Sequence, residues 1–233
     1  MFVKICANTS VEDARLAAEL GADAVGFVFA PSKRRVTPEQ VERMVRELPM
    51  GLEMVGVFAS ADPREIAACV RLTRVTAAQL HGSFDAGLVR TLHAEFGDGL
   101  KIIQTVTYAV DSAGAAEQTE ADARFEQALK QVFDEPALWA VLIDAARAGT
   151  SGGLGVTFDW ARAAKIVQRA MAGREPRLRV ILAGGLRPEN VAQAIAELQP
   201  WGVDVASGVE AGPGRKDPDR LRAFVAAVRS VGA

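Results

Sequence analysis

The feature that most constrains the fold is a regular alternation of short apolar runs with helix-like segments along all 233 residues. Eight runs rich in Val, Ile, Leu and Phe recur, at residues 3–7, 24–29, 54–59, 77–81, 101–106, 139–144, 179–183 and 203–206. Apolar and polar residues do not alternate strictly within them, which is typical of parallel strands covered on both faces. Eight units in 233 residues give about 29 residues per unit.

The segments between the runs carry the start and stop signals of helices. Ser10 is placed to cap the first helix and Gly21 to end it. Four later segments begin with Pro near the first helical position, at residues 37–40, 62–65, 187–190 and 217–220. This repetition predicts an α/β fold, a (β/α)8 TIM barrel that forms a single domain over residues 1–233. A doubly wound open sheet is disfavoured, because no Gly-x-Gly-x-x-Gly motif follows the first run.

One stretch, residues 107–138, departs from the regular pattern. Residues 108–120 are small and polar and predict a loop. Ala121, Phe125 and Leu129 follow at helical spacing and predict that the fifth helix begins after that loop.

The composition disfavours several classes of protein. Lys and Arg number 27 against 29 Asp and Glu, a net charge of −2, whereas nucleic-acid-binding proteins usually have a basic excess. The apolar runs are far shorter than a membrane span, and no signal peptide is evident. Two cysteines, Cys6 and Cys69, are too few for a disulfide framework and fit a reducing cytoplasm. With only 2 His, a Cys/His metal site is not expected.

Acid–base chemistry is expected where the strands end, because active sites of such barrels lie at the C-terminal ends of the strands. Cys6 stands at the end of the first run and Asp144 at the end of the sixth. A thiol can act as a base if a positive neighbour lowers its pKa; otherwise it is a small buried apolar side chain. An acid after three large apolar residues is partly desolvated, which suits a general acid; the alternative is a helix cap or a salt bridge at the rim.

Two glycine-containing turns point to a phosphate. Gly184-Gly185 follow the seventh run and Ser207-Gly208 follow the eighth, and these barrels hold phosphate groups between those two loops. Glycine lets backbone N–H groups approach a ligand closely, although the same residues also serve as simple turns. Arg34 belongs to a basic cluster after the second run, and it either clamps a carboxylate or lies on a solvated surface.

The motifs around these residues resemble the phosphoribosylanthranilate isomerase family, barrel enzymes of tryptophan biosynthesis. The resemblance covers essentially the whole chain, and its specificity lies in the order of the motifs. They are Lys4-Ile5-Cys6, Gly21 to Phe29, Ser32-Lys33-Arg34, Val55-Gly56-Val57-Phe58, Gln79-Leu80-His81-Gly82, Leu142-Ile143-Asp144, Thr157-Phe158-Asp159-Trp160, Gly184-Gly185-Leu186, Ser207-Gly208-Val209-Glu210 and Pro213-Gly214-Arg215-Lys216-Asp217.

The resemblance implies an Amadori rearrangement of N-(5-phosphoribosyl)anthranilate that needs no cofactor. It assigns the general base to Cys6 and the general acid to Asp144. Substrate-binding positions fall on Arg34, which would contact the anthranilate carboxylate, and on Gln79, His81 and Asp204; the phosphate would lie on Gly184, Gly185, Ser207 and Gly208. The expected partner is the small phosphosugar alone, without nucleic acid or membrane. The enzyme would be cytoplasmic, as a monomer or a homodimer.

Several positions depart from the family pattern. Ala7 stands where Gly usually follows the Cys, Arg35 where Tyr is common, and Leu154 and Val156 where the loop usually has Thr or Ser and a basic residue. Two alternatives therefore stay open: a paralogue that acts on another phosphosugar, such as an aminoimidazole carboxamide ribotide, and a non-catalytic barrel that binds a phosphate ligand. Enzymes that act on such a ribotide favour paired acids, so Cys6 at the base position argues against the first alternative.

Overall fold

Eight parallel strands close into a barrel in which each strand pairs with its neighbours in chain order, from β1 to β8 and back to β1. The computed structural model describes residues 1–110, 115–147, 159–174 and 178–231. The predicted (β/α)8 TIM barrel is confirmed. The strands are β1 Phe2–Ile5, β2 Ala24–Val28, β3 Glu53–Phe58, β4 Ala77–Leu80, β5 Lys101–Val110, β6 Ala140–Arg147, β7 Arg179–Leu182 and β8 Gly202–Val205.

A helix follows each strand and packs on the outside of the barrel. The helices are α1 Val11–Glu19, α2 Pro38–Val45, α3 Pro63–Thr73, α4 Ala86–Phe96, α5 Ala115–Phe133, α6 Trp160–Met171, α7 Val191–Leu198 and α8 Pro218–Val231. Ser10 caps α1 as predicted, because its side chain accepts a hydrogen bond from the Asp13 N–H. Between β8 and α8 lie one turn of 3-10 helix, Ser207–Val209, and a short antiparallel hairpin of β9 Glu210–Gly212 and β10 Arg215–Lys216.

The loop predicted over residues 108–120 is wrong. β5 continues to Val110 in register with β6, and α5 already begins at Ala115. Tyr108 explains part of this, since its ring packs 4.5 Å from that of Phe125 and its hydroxyl donates to Asp122 over 2.5 Å. Strand pairing uses backbone groups, so pairing with a neighbouring strand can extend β5 into a stretch whose overall composition predicts a loop.

The barrel interior and the surface beneath the helices form separate apolar clusters. The interior is filled by small and branched side chains, namely Ala24, Val55, Ala77, Ile103, Ala140, Leu142, Ile181 and Ala183. Phe2, Trp139 and Trp201 pack together at the N-terminal end of the barrel, with ring centroids 4.6 to 5.8 Å apart. Across the described ranges, every helix is either too short or too polar to pass through a lipid bilayer.

Candidate active site

A cavity opens at the carboxyl ends of the barrel strands. Successive residues of a strand point to opposite faces, so Lys4 and Cys6 both point inward while Val3 and Ile5 pack under the helices. The cavity wall contains every residue that the sequence nominates: Cys6, Arg34, Gln79, His81, Asp144, Gly184, Gly185, Asp204, Ser207 and Gly208. The strand ends thus bring together residues that are up to 202 positions apart in the chain.

Cys6 lies directly after β1, and small neighbours make room for it. Its N–H donates to the Val205 carbonyl over 2.8 Å, so pairing with β8 extends to this residue. A Cβ at Gly26 would lie 2.7 Å from the Cys6 sulfur, which is closer than atoms can pack. Ala7 has a left-handed backbone with a φ of 63°. The chain therefore turns sharply once the thiol has been placed in the cavity.

Lys4 and Asp204 form a buried ion pair beside the thiol. They face each other in the β1–β8 register, and Lys4 Nζ lies 2.9 Å from Asp204 Oδ1. Burial acts to lower the pKa of Lys4, but the charges of Asp204 and Cys6 raise this pKa overall, so the ammonium group stays protonated. Burial raises the pKa of the Cys6 thiol, and the charge of Lys4 opposes that rise.

Asp144 is the acidic group across the cavity from β1. Burial, reinforced by the charge of Asp204, raises the pKa of Asp144 to about 7. A carboxyl group with such a pKa can hold a proton near neutral pH and give it up during a reaction. β6 continues to Arg147 beyond this residue, so the prediction that the strand ends at Asp144 is wrong, although Asp144 still lines the cavity. Burial and the charge of Lys4 lower the pKa of His81, which favours a neutral imidazole.

Gln79 lies on β4 with a polar atom available to a ligand. The side chain is 3% exposed, and its amide nitrogen donates to the Thr105 hydroxyl over 3.1 Å. Within the part of the chain that the structure describes, its carbonyl oxygen Oε1 is buried without a hydrogen-bond partner. A buried unpaired acceptor is costly, so a donor supplied by a bound molecule would be favourable here.

The loops after β7 and β8 bring two backbones into direct contact. Gly184 and Gly185 have positive φ angles of 86° and 64°, a conformation that glycine adopts without strain. A Cβ at Gly208 would lie 1.8 Å from the Leu186 carbonyl oxygen, so only glycine fits there. Ser207 stands at the start of the adjoining 3-10 turn. Backbone N–H groups of such turns can form an anion-binding concavity.

Comparison with known proteins agrees with this geometry. Residues 3–227 match the family described as N-(5'phosphoribosyl)anthranilate (PRA) isomerase. The chain belongs to the phosphoribosylanthranilate isomerase family. The isomerase of Symbiobacterium thermophilum is 40% identical over 244 residues, which cover 99% of both chains. The crystal structure of the Thermotoga maritima isomerase has a TM-score of 0.80 at 33% identity and covers 99% of both chains.

Another solved structure of a phosphoribosylanthranilate isomerase holds a ligand. It is 32% identical to this chain, has a TM-score of 0.76 and covers 99% of both chains. That protein was crystallised with reduced 1-(o-carboxyphenylamino)-1-deoxyribulose 5-phosphate.

Arg34, which the family resemblance assigns to a substrate carboxylate, already contacts a carboxylate of this chain. Its Nε donates to Glu210 Oε1 over 2.8 Å, and its Nη2 donates to Glu210 Oε2 over 2.6 Å. Glu210 is 6% exposed, and Arg34 still lines the cavity. The guanidinium group is therefore held in place before any ligand arrives.

Sequence reasoning gave no role to four residues that surround the site: Lys4, Gly26, Glu210 and Lys216. Lys4 offers a signal, because a charged residue two positions before Cys6 shares its face of an apolar strand. Gly26 and Glu210 become significant only through neighbours that are distant in the chain. Two of the positions that depart from the family pattern, Leu154 and Val156, lie outside the described residues, as does the Gly-rich loop at 152–155.

Proposed function

We propose that this chain catalyses the Amadori rearrangement of N-(5-phosphoribosyl)anthranilate to 1-(2-carboxyphenylamino)-1-deoxyribulose 5-phosphate, a step of tryptophan biosynthesis. The observation that supports it most is a thiol and a carboxylic acid facing one cavity, with the pKa of Asp144 raised to about 7, in a chain of this family. The ligand of the similar solved structure is the reduced form of this product.

Asp144 and Cys6 divide the proton transfers between them in this proposal. Asp144 protonates the ring oxygen of the ribose, and the C1–O bond breaks to give an open-chain Schiff base. Cys6, as the thiolate, removes the proton from C2, and the electrons shift to form the enolamine. Tautomerisation of the enolamine gives the ketone product, with no net change of atoms. Lys4, which stays charged in a buried position next to Cys6, favours the thiolate by opposing the rise that burial causes in the pKa of this thiol.

The two acidic ends of the substrate are assigned to different groups of the cavity wall. The phosphate would lie on the backbone N–H groups of Gly184, Gly185 and Gly208, and on Ser207, where two loops meet. The anthranilate carboxylate would meet the remaining N–H groups of Arg34, whose other side is fixed by Glu210. Gln79, His81 and Asp204 would contact the ribose between these ends.

The assignment of the acid and the base is tested by turnover of freshly prepared substrate, followed by loss of its fluorescence. We expect Cys6→Ser and Asp144→Asn each to lower kcat by about 10²- to 10⁴-fold, as for removal of a general acid or base. Cys69→Ser is the matched control, because Cys69 lies on α3, outside the cavity. An inactive wild type, or variants as fast as wild type with circular dichroism unchanged, would contradict the proposal.

We also infer that the enzyme is cytoplasmic and acts as a monomer or a homodimer on this small substrate alone. The dimeric state has a precedent, since the Thermotoga maritima isomerase is described as dimeric.

A further inference from the structure

A chain of buried charged groups joins Arg34 to the backbone of Cys6. Arg34 pairs with Glu210 through two nitrogen atoms, at 2.8 and 2.6 Å. Glu210 Oε1 lies 3.5 Å from Lys216 Nζ. Lys216 Nζ donates to the Cys6 carbonyl oxygen over 2.5 Å and to the Ala206 carbonyl oxygen over 3.3 Å. The chain thus ends, on one side, at the proposed carboxylate-binding group and, on the other, at the proposed base.

Glu210 and Lys216 lie in a buried, hydrogen-bonded part of the fold. They face each other across the β9–β10 hairpin. The Lys216 side chain is 0% exposed and the Glu210 side chain 4%. The Lys216 N–H donates to Asp13 on α1 over 2.9 Å, and the Gly214 N–H donates to Glu210 over 3.3 Å. The hairpin therefore connects the end of β8 to the first helix.

Lys216 gives the peptide after Cys6 its hydrogen-bond donor. Ala7 leaves the regular strand with a left-handed backbone, and the next backbone hydrogen bond to β2 is donated by the Asn8 N–H to the Gly26 carbonyl over 2.9 Å. A buried carbonyl group needs a donor, and for Cys6 that donor is the Lys216 ammonium group. The direction of the Cys6 peptide, and with it the position of the thiol, depends on this contact.

Fold stability alone does not account for buried charges in this place. Desolvation of a buried ion pair cancels much of its attraction, and apolar residues of similar volume are often as stabilising. Here both ends of the charged chain reach the cavity wall, at Cys6 and Arg34. Charged groups at such positions fix geometry, and misplacing a reacting group by about 1 Å can cost on the order of 100-fold in rate.

We propose that Glu210 and Lys216 are positioning residues for the isomerisation, Glu210 by directing Arg34 to the substrate carboxylate and Lys216 by fixing the Cys6 peptide. This inference rests on the proposed function. It separates the two roles, because Glu210 acts on binding through Arg34 and Lys216 acts on the chemical step through Cys6.

The two roles are distinguished by steady-state kinetics of Glu210→Gln and Lys216→Met. We expect Glu210→Gln to raise KM about tenfold with kcat within about threefold, since it weakens a charge-assisted contact of Arg34. We expect Lys216→Met to lower kcat about 10- to 100-fold with KM within about threefold. Arg215→Met is the matched control, because the neighbouring Arg215 is exposed on the same strand.

Folding is monitored separately, because removal of one partner of a buried pair is destabilising. The double variant, Glu210→Gln with Lys216→Met, removes both charges and is expected to regain part of the lost stability without regaining kcat. If each single variant changes kcat and KM only in proportion to its loss of folded protein, or if the double variant recovers full kcat, both residues are merely structural and the proposal is wrong.

Two further measurements do not depend on turnover. Calorimetric binding of the reduced product is expected to weaken about tenfold in Glu210→Gln and to stay within threefold in Lys216→Met. In a Cys69→Ala background, ultraviolet titration of Cys6 is expected to shift to higher pH in Lys216→Met, because the charged groups that face this thiol are Lys4, Asp204 and Lys216. An inactive wild type overturns the proposed function, whereas unchanged binding and an unchanged titration overturn the positioning roles.

Discussion

At the scale of single residues, two small side chains next to Cys6 have different consequences. Gly26 is required by space, since a Cβ there would lie 2.7 Å from the Cys6 sulfur and 3.2 Å from Lys4 Nζ. The side chain of Ala7 fits in its surroundings, but the φ of 63° suits glycine better, because a Cβ strains a left-handed backbone. The Gly usual at this position in the family therefore reflects backbone conformation, and Ala7 keeps the same turn at some cost.

The pKa of Asp144 leads to a prediction about stability. An unfolded Asp loses its proton near its ordinary pKa of 3.8, whereas Asp144 in the fold loses it near 7. The folded state therefore binds the proton more tightly, and the stability that this gives is complete below about pH 4 and is lost as the pH rises to about 7. Asp144→Asn removes the titration.

We expect the free energy of unfolding of the wild type, minus that of Asp144→Asn, to fall by about 3 kcal/mol between pH 4 and pH 7.5. Urea denaturation of both proteins at intermediate pH values measures this difference. A difference that stays constant across the range would mean that Asp144 titrates as an ordinary surface acid.

At the scale of elements, the extended β5–β6 pair shows where local pattern fails. Residues 108–110 belong to a stretch, 108–120, whose overall composition predicts a loop, yet they pair with β6 up to Val110 opposite Arg147. Tyr108 is also tied to α5 by its hydrogen bond to Asp122, although the two residues lie on different elements. Neither contact can be recognised from the sequence pattern of neighbouring residues.

The contact between the β7 and β8 loops gives a second prediction. A Cβ at Gly208 would clash with the Leu186 carbonyl group, which is backbone and cannot move aside without shifting its loop. Gly208→Ala is therefore expected to weaken binding of the reduced product about tenfold or more by separating the proposed phosphate donors. Gly212→Ala is the control, because a Cβ there meets no atom within 4 Å. Calorimetry that finds equal affinity in both variants would contradict this phosphate site.

At the scale of the whole molecule, the two ends of the barrel carry different tasks. The N-terminal end is closed by Phe2, Trp139 and Trp201, with Lys101 and Arg179 against the Trp139 ring. The C-terminal end holds the cavity and its buried charges. In barrels of this kind the first end contributes to stability and the second to chemistry.

Trp139→Ala tests this division of tasks. We expect it to lower the free energy of unfolding by about 2–4 kcal/mol, since a large half-buried ring is lost, while kcat/KM at 25 °C stays within about twofold. Leu72→Ala, at an exposed position of α3, is expected to cost less than about 1 kcal/mol. Thermal and urea unfolding measure the first effect, and a large fall in kcat/KM of the folded variant would show that the two ends are coupled.

The sequence by itself determined the architecture, because eight apolar runs separated by capped helices have few other ways to bury their apolar faces. It also placed all ten nominated residues on one cavity, since strand ends of a closed parallel barrel meet at one rim. Only the tertiary structure decided that Arg34 is held by Glu210, that Lys216 reaches the Cys6 carbonyl, and that Gly26 leaves room for the thiol. These contacts join residues up to 210 positions apart, and their charge and shape complementarity exists only once the barrel has closed.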